Sequence, residues 1–335
     1  MNNHIIGGGG DSSPFFSIVI LSYNKEPYIA KCIESCLNQT YTNFEVIIVD
    51  DCSQDKTPSI VQEYVSSNPQ ILFIQNEQNR GAFASRIIGE QHARGEYIIH
   101  VDGDDFFRED MCEILYPFCK TQQYDIIGFG QISINLQNNQ TILTPPLGKY
   151  SVDKIVLQLG MISRAFKSNI IKKSHYFITS TLFPNKIPHL INLEDGLQSF
   201  AIAIFSNTFL GINHPLYYQQ TNLQSTTGDC SDILKNYKKN QDFQFSLSMM
   251  LEIVQYFDIP SHQKTCLKKQ IQKQWLPIMQ RYSYIYYHSK AYENKPFAYP
   301  INFLKSLRYT KSLKVICKTL TRVLVYFITF GRIKF

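Results

Sequence analysis

Continuous apolar runs alternate, in the first half of the chain, with segments in which apolar residues recur at every third or fourth position. Such runs are typical of strands buried on both faces of a parallel sheet, and the wider spacing is typical of amphipathic helices. The runs predict strands at Phe15–Leu21, Phe44–Val49, Ile71–Ile74, Tyr97–Val101 and Asp125–Ile134. The spaced segments predict helices at Tyr28–Leu37, Thr57–Val65, Ala82–His92 and Glu109–Cys119. This alternation with short connections predicts an α/β fold with a doubly wound, mostly parallel sheet.

Three further parts of the chain flank the main α/β domain. Residues 1–13 end in four consecutive glycines followed by Asp-Ser-Ser, which predicts a flexible leader. The main α/β domain is expected at residues 14–230, although its pattern is less regular after Ser151. Residues 231–300, rich in Lys, Gln and Tyr, predict a C-terminal helical extension, and residues 301–335 form a separate basic tail.

Composition excludes some classes of protein. With 335 residues, 44% of them hydrophobic and 18% charged, the chain can bury a sizeable core and is not globally disordered. Its net charge is +6, but residues 301–335 hold eight basic residues and no acidic one, which leaves −2 for the remainder. The body is therefore not expected to bind nucleic acid. The eight cysteines include no Cys-x-x-Cys pair, which favours free thiols in a reducing cytosol over a zinc site or disulfide framework.

The basic tail has the pattern of an amphipathic helix. Lys311, Lys314, Lys318 and Arg322 recur on one face, opposite an apolar face that runs from Leu313 to Ile328. Such a helix is suited to an anionic membrane surface, and the alternative is that its apolar face packs on the protein. No stretch reaches the ~20 apolar residues of a spanning helix, and there is no secretory signal. We therefore expect a cytoplasmic protein, peripheral on the inner face of the cell membrane.

Acidic and aromatic residues follow three of the predicted strands. They are Ser22-Tyr23-Asn24 after the first strand, Asp50-Asp51-Cys52-Ser53 after the second, and Asp102-Gly103-Asp104-Asp105 after the fourth. Each alone could be an ordinary helix cap or turn. Because the carboxyl ends of parallel strands share one edge, the acids should meet there, and their repulsion would need a cation or ligand to offset it. Oxygen ligands favour Mg²⁺ or Mn²⁺, with substrate phosphates completing the shell.

These motifs carry a resemblance to a known family. The run from Ser17 to Thr57, and then the run from Asn79 to Asp105, closely resemble glycosyltransferase family 2, and the likeness extends from Phe15 to about Thr227. The resemblance implies a GT-A-type fold and inverting transfer of a sugar, a hexose or N-acetylhexosamine, from a nucleotide diphosphate donor such as a UDP-sugar. It also implies a glycan or lipid-linked acceptor in the synthesis of bacterial surface polysaccharide or lipopolysaccharide.

The resemblance assigns roles to individual residues. Tyr23 would stack on the base, Asp51 would read the base edge, and Arg86 would face the nucleotide, although a surface salt bridge is the alternative for Arg86. Asp104 would be the main ligand of Mn²⁺ or Mg²⁺, with Asp102 on the ribose or the metal. The complete expected set is Tyr23, Asp50, Asp51, Arg86, Asp102 and Gly103 for the nucleotide sugar, and Asp102 and Asp104 for the metal.

A fourth motif, Asn192-Leu193-Glu194-Asp195-Gly196, resembles the Glu-Asp motif of the family, in which the Asp is the catalytic base. Inversion is a single displacement by an acceptor hydroxyl, and a hydroxyl is a poor nucleophile unless a carboxylate takes its proton. Asp195 is therefore the expected general base. The alternative is that Glu194 and Asp195 simply begin a helix, where acids are favourable. A Gln-x-x-Arg-Trp motif of processive synthases is missing, which favours transfer of one sugar.

Two other functions stay open. A nucleotidyltransferase also uses carboxylate-bound Mg²⁺, but it usually carries a glycine-rich basic loop after the first strand, and Ser22 to Pro27 contains no glycine. An inactive family member could instead serve as an assembly partner. The joint presence of Asp102, Asp104 and Asp195 argues against that alternative.

Overall fold

The computed structural model describes residues 3–7, 13–135, 137–145, 147–150, 160–220 and 233–273, with three isolated positions further on. The strands are β1 Asn3–Gly7, β2 Phe16–Ser22, β3 Phe44–Asp50, β4 Ile71–Asn76, β5 Tyr97–Asp102, β6 Phe106–Phe107, β7 Ile126–Ile134, β8 Gln140–Leu143, β9 Gly148–Tyr150, β10 Arg164–Lys167 and β11 Phe209–Gln220. The helices are α1 Ile29–Leu37, α2 Thr57–Ser67, α3 Ala82–His92, α4 Met111–Pro117, α5 Ser168–Phe177, α6 Glu194–Ala203 and α7 Ile233–Ile253. Short π-helical turns follow α4 and α5, and residues 261–273 are also helical.

The sheet has the order β1-β4-β3-β2-β5-β10-β7-β11-β6. Strands β4, β3, β2 and β5 are parallel, and β10 lies antiparallel between β5 and β7. From β2 the chain winds outward through β3 to β4, and then returns to the other side of β2 to form β5. This reversal creates a switch point between β2 and β5, where ligands of open α/β sheets usually bind.

Both faces of the central strands are covered. Ile18 and Ile20 of β2 are fully buried in a cluster that includes Ile29 and Ile33 of α1. Val19, which points to the other face, lies under Gly89 of α3, and a Cβ on that glycine would come within 2.6 Å of Val19 Cγ1. Because the glycine has no side chain, α3 packs unusually close to the sheet. The fold is therefore doubly wound, as the sequence predicted.

The predicted elements of residues 14–135 are confirmed, with differences of a few residues at their ends. The helix expected at Glu109–Cys119 is α4 followed by a π-helical turn. The flexible leader expected at residues 1–13 is wrong for Asn3–Gly7, because these residues form β1 and pair antiparallel with β4 from Asn76 back to Leu72. This strand could not be recognised from the sequence because Ile5 and Ile6 are its only large apolar residues. An edge strand gains its stability from pairing as much as from burial.

The chain separates into two compact units. The first comprises residues 1–190, 194–222 and 256–258, and the second comprises residues 191–193, 223–255 and 259–335. The second unit contains α7 and the helical residues 261–273, in agreement with the predicted helical extension. The amphipathic helix predicted from Lys311 to Ile328 lies outside the described residues, apart from two isolated positions. In the part of the chain that the structure describes, no helix is both long and apolar enough to cross a membrane.

Candidate active site

The loops that follow β2 and β3 are hydrogen-bonded to each other. The backbone N–H of Asn24 donates to Ser53 Oγ at 2.8 Å, and the N–H of Gln54 donates to Asn24 Oδ1 at 2.8 Å. Both loops carry a non-glycine residue with positive φ, Asn24 at 52° and Cys52 at 67°. Backbone strain of this kind persists only where the surroundings hold it, and it is common at functional sites. Beside these turns Tyr23 is 46% exposed, so its ring is accessible to a ligand.

Asp50 and Asp51 at the end of β3 are both buried and both have protein partners. Asp50 accepts hydrogen bonds from the hydroxyl of Ser53 at 2.5 Å and from its backbone N–H at 3.0 Å. Burial raises the pKa of Asp50, and the Ser53 hydrogen bonds oppose that shift. Asp51 accepts from the backbone N–H groups of Arg80 and Gly81, each at 2.8 Å. Both acids therefore shape the loops of the site, and their contact with a nucleotide stays a prediction.

The loop Asp102–Asp105 is fastened to β11. The Tyr217 hydroxyl donates to Asp105 Oδ2 at 2.6 Å, and the backbone N–H of Gln220 donates to Asp105 Oδ1 at 2.8 Å. Gly103 lies against the end of β2, because a Cβ there would be 3.0 Å from the carbonyl oxygen of Leu21. The glycine of the Asp-Gly-Asp motif thus has a packing reason of its own, whatever its role toward a nucleotide.

Lys25 forms an ion pair with Asp104, the predicted main metal ligand. Its Nζ lies 2.5 Å from Asp104 Oδ2, with the Lys25 and Asp104 side chains 21% and 14% exposed. The side-chain stem of Lys25 passes over Gly103, since a Cβ on Gly103 would be 3.3 Å from Lys25 Cγ. Lys25 was not among the residues predicted from the sequence. Its position two residues after Tyr23, at the edge where acids collect, was an available signal.

Arg86 interacts electrostatically with two acids of the site, Asp102 and Glu194. It is 3% exposed, so the alternative of a surface salt bridge is wrong. Burial raises the pKa of Asp102 to about 6, the positive charge of Arg86 opposes the shift, and Asp104 and Asp195 add to it. Asp102 and Asp195 are far apart in sequence, yet they are close enough to interact electrostatically. The fold thus brings the predicted base to the same region as the predicted metal motif.

Asp195 and Glu194 occupy the first turn of α6. Burial raises the pKa of Glu194 to about 7, with a further contribution from Asp195 and an opposing one from Arg86. Asp195 accepts a hydrogen bond from the backbone N–H of Gly196 at 2.7 Å. A carboxylate at this place can accept a proton from a bound hydroxyl, and Glu194 is the neighbouring carboxylate with the same capacity.

Comparison with known proteins identifies relatives of this chain. The model of Glycosyl transferase family 2 matches residues 17–183. An uncharacterized glycosyltransferase of Haemophilus influenzae is 32% identical over 173 residues, which cover 51% of this chain and 67% of that protein. The chain belongs to glycosyltransferase family 2. EpsH of Bacillus subtilis is 43% identical over 220 residues, and the match covers 64% of this chain and 62% of EpsH.

Solved structures show that the fold is the GT-A type expected for the family. The S. aureus protein TarS, residues 1–349, in complex with UDP-GlcNAc, has a TM-score of 0.65 and 16% sequence identity, and the match covers 94% of this chain and 92% of that one. At this identity the likeness establishes the fold alone. Membership of a glycosyltransferase family disfavours the nucleotidyltransferase alternative.

The residues present fit a metal ion in part. Among the described residues, no three His, Cys, Asp or Glu side chains form a group that could by itself hold an ion. Five carboxylates, however, interact electrostatically with one another, and Arg86 and Lys25 offset only part of their charge; the acids are Asp102, Asp104, Asp105, Glu194 and Asp195. This excess of negative charge fits a hard cation that takes one or two carboxylates and completes its shell with phosphate oxygens and water.

The raised pKa of Asp105 gives a test of the site's electrostatics. Burial, and then Asp102, raise the Asp105 pKa from 3.8 to about 8. Because the folded state favours the protonated acid, the free energy of unfolding should fall as pH rises from about 4 to about 8. Asp105→Asn cannot ionise, so its urea-unfolding free energy should fall less than that of the wild type between pH 5 and pH 8.

Asp102 and Glu194 contribute to the same fall in stability, so the variant should flatten the pH dependence without abolishing it. Asp110→Asn is the matched control, since Asp110 is partly exposed in a surface ion pair with Arg108 and should keep the wild-type dependence. If the unfolding free energies of the wild type and Asp105→Asn changed in parallel with pH, the raised pKa of Asp105 would be contradicted.

Proposed function

We propose that this family member is an active, inverting, metal-dependent enzyme that transfers one sugar from a nucleotide diphosphate donor, a UDP-sugar, to a glycan or lipid-linked acceptor of a bacterial surface polysaccharide. The observation that carries the proposal is the convergence of Asp102, Asp195 and buried Arg86, which come from three separate segments, at the carboxyl edge of the sheet. An inactive assembly partner would have no need for three charged groups held together at such cost.

The donor would bind at the switch point between β2 and β5. The exposed ring of Tyr23 offers a stacking surface for the base, and the buried guanidinium of Arg86 offers a positive charge to the diphosphate. A UDP-sugar is favoured by the family resemblance, and the TarS complex contains one on the same fold. The choice of sugar, hexose or N-acetylhexosamine, would depend on the pocket walls.

The acceptor hydroxyl would approach from the side of α6. Asp195 would hold this hydroxyl by a hydrogen bond and take its proton as the hydroxyl oxygen attacks the anomeric carbon. In the same displacement the bond from that carbon to the diphosphate breaks, so the configuration at the carbon inverts. A base and a diphosphate site on opposite sides of the sugar are what a single displacement requires.

Asp104, with Asp102, would hold Mn²⁺ or Mg²⁺ together with the donor phosphates. When bound, the ion would supply charge stabilisation to the leaving diphosphate. Lys25 would then be released from Asp104, and its ammonium group would be available to a phosphate oxygen.

The first prediction from the proposed function concerns Asp104. Asp104→Ala should lose nearly all transfer, because several kcal/mol of charge stabilisation on the leaving group would disappear. The fold should survive, since the Lys25–Asp104 pair is partly exposed and such pairs contribute little to stability. Donor turnover and the melting temperature would be measured together, and EDTA should reproduce the loss in the wild type. Asp110→Ala, which breaks the Arg108–Asp110 pair, is the control that should keep turnover. Full turnover in EDTA would overturn metal dependence.

The second prediction concerns the base. Asp195→Asn should bind donor almost normally, because the amide keeps the size of the side chain, but it should transfer about a hundredfold more slowly or worse. Glu194→Gln is the matched neighbour and should retain most transfer. Single-turnover rates and donor affinity separate the two effects. An active Asp195→Asn with an inactive Glu194→Gln would place the base one residue earlier.

We also propose that the basic tail binds an anionic membrane surface, which would place the enzyme on the inner face of the membrane where lipid-linked acceptors are available. Support comes from the charge distribution, with eight basic residues and no acid in residues 301–335. Basic residues contribute about 1 kcal/mol each near an anionic surface.

The third prediction tests this tail in the full chain. Neutralising Lys311, Lys314, Lys318 and Arg322 to Gln should abolish flotation with anionic liposomes while leaving turnover of a soluble acceptor analogue unchanged. Neither the wild type nor the neutralised variant should float well with neutral liposomes. Added salt should weaken flotation of the wild type with anionic liposomes. Equal flotation of both forms would indicate that the tail packs on the protein instead.

A further inference from the structure

A buried polar network lies directly behind Arg86. Its centre is Glu90, one helical turn after Arg86 on α3, which is 1% exposed. His100 of β5 approaches Glu90 Oε1 with its Nε2 at 2.7 Å, and His175 of α5 forms an ion pair with Glu90 Oε2. Gln198 of α6 donates from Nε2 to Glu90 Oε2 at 2.8 Å. Four separate elements therefore meet at one buried carboxylate.

Glu90 remains ionised in this position. Burial raises its pKa, but His175 and His100 outweigh the effect and hold the pKa at about 2. An ionised carboxylate can only accept hydrogen bonds, so the group that Gln198 presents to it must be the NH₂ end of the amide. The orientation of the Gln198 amide is thereby fixed.

The other end of the same amide contacts Arg86. Gln198 Oε1 accepts a hydrogen bond from Arg86 Nη1 at 3.2 Å, and both residues are buried. If the amide were reversed, its NH₂ group would face the guanidinium, and neither group could accept. Glu90 thus determines, through Gln198, that Arg86 has an acceptor at Nη1.

One donor of Arg86 is left unsatisfied by the described residues. Its Nε has no hydrogen-bond partner among the described residues, although Arg86 is 3% exposed. A buried donor without a partner is costly, and an anionic oxygen would satisfy it well. The guanidinium is also close enough to Asp102 and Glu194 to oppose the upward shift of both their pKa values.

We propose that Gln198, oriented by Glu90, is a positioning residue that fixes the guanidinium of Arg86 for the diphosphate of the donor and so sets donor affinity. This inference rests on the proposed function. It goes beyond the family motifs, because Glu90 and Gln198 are not among the residues to which the resemblance assigns a role, and they would act through Arg86. A network that only fills the core with satisfied polar groups would affect stability and leave donor affinity unchanged.

Gln198→Met tests the inference, since methionine keeps the size of glutamine but offers no amide. The ligand in this test is whichever of UDP, GDP, CDP and dTDP the wild-type chain binds. Its dissociation constant is measured by calorimetry. The Kd should rise about tenfold, the low end of the loss found when residues that orient metal ligands are removed. Gln198→Asn, whose shorter amide cannot bridge both partners, should weaken binding similarly and serves if the methionine variant fails to fold.

A double-mutant cycle separates positioning from a general structural effect. The Arg86→Lys variant keeps the positive charge but loses the Nη1 contact. In this background Gln198→Met should raise the Kd by less than about a further twofold. Gln39→Met is the matched control, because Gln39 is a buried glutamine that bonds Arg108 and Cys112 instead. It should lower the melting temperature and leave the Kd unchanged.

The outcomes distinguish this inference from the proposed function. An unchanged Kd for Gln198→Met, or fully additive losses with Arg86→Lys, would overturn the inference while the function stands. A wild-type chain that binds none of the four nucleotides would overturn the proposed function, and the inference with it.

Discussion

The positive charge of Arg86, buried at the carboxyl edge of the sheet, holds together acids that would otherwise repel one another. Asp102 from β5 and Glu194 from α6 both interact with it electrostatically, and desolvation raises the pKa of each acid. A buried cation among acids offsets their repulsion without neutralising it. The remaining negative charge attracts cationic groups, and Lys25 forms an ion pair with Asp104.

The same charge balance depends on topology. Because β2 and β5 are adjacent and parallel, Leu21 pairs with Asp102, and the loops after both strands emerge side by side. The Asp102–Asp105 loop is also fastened to β11, because the Tyr217 hydroxyl donates a hydrogen bond to Asp105. The acids are therefore placed by backbone connections that extend far beyond the motifs themselves.

The sequence predicted the central strands and the motif acids well, for a physical reason. Strands buried on both faces must be apolar throughout, and residues that follow parallel strands must share an edge, so both features are visible locally. Glu90, His100, His175 and Gln198 were missed because a buried polar residue has the same appearance in the sequence as an exposed one. Arg86 and Glu90, one helical turn apart, have the spacing of an ordinary surface ion pair. Only the packing of α5 and α6 onto α3 buries them, and no local pattern encodes that packing.

Strand β1 changes what the sheet presents to solvent. Without it, β4 would be the outermost strand, and the row of unpaired backbone N–H and C=O groups along Ile71–Asn76 would be open to pairing with another chain. The five-residue strand β1, which ends in glycine, pairs with these backbone groups instead. Its own free edge is short and offers another chain few groups for pairing. By covering the edge of β4, β1 leaves a shorter strand exposed for edge-to-edge pairing between neighbouring molecules.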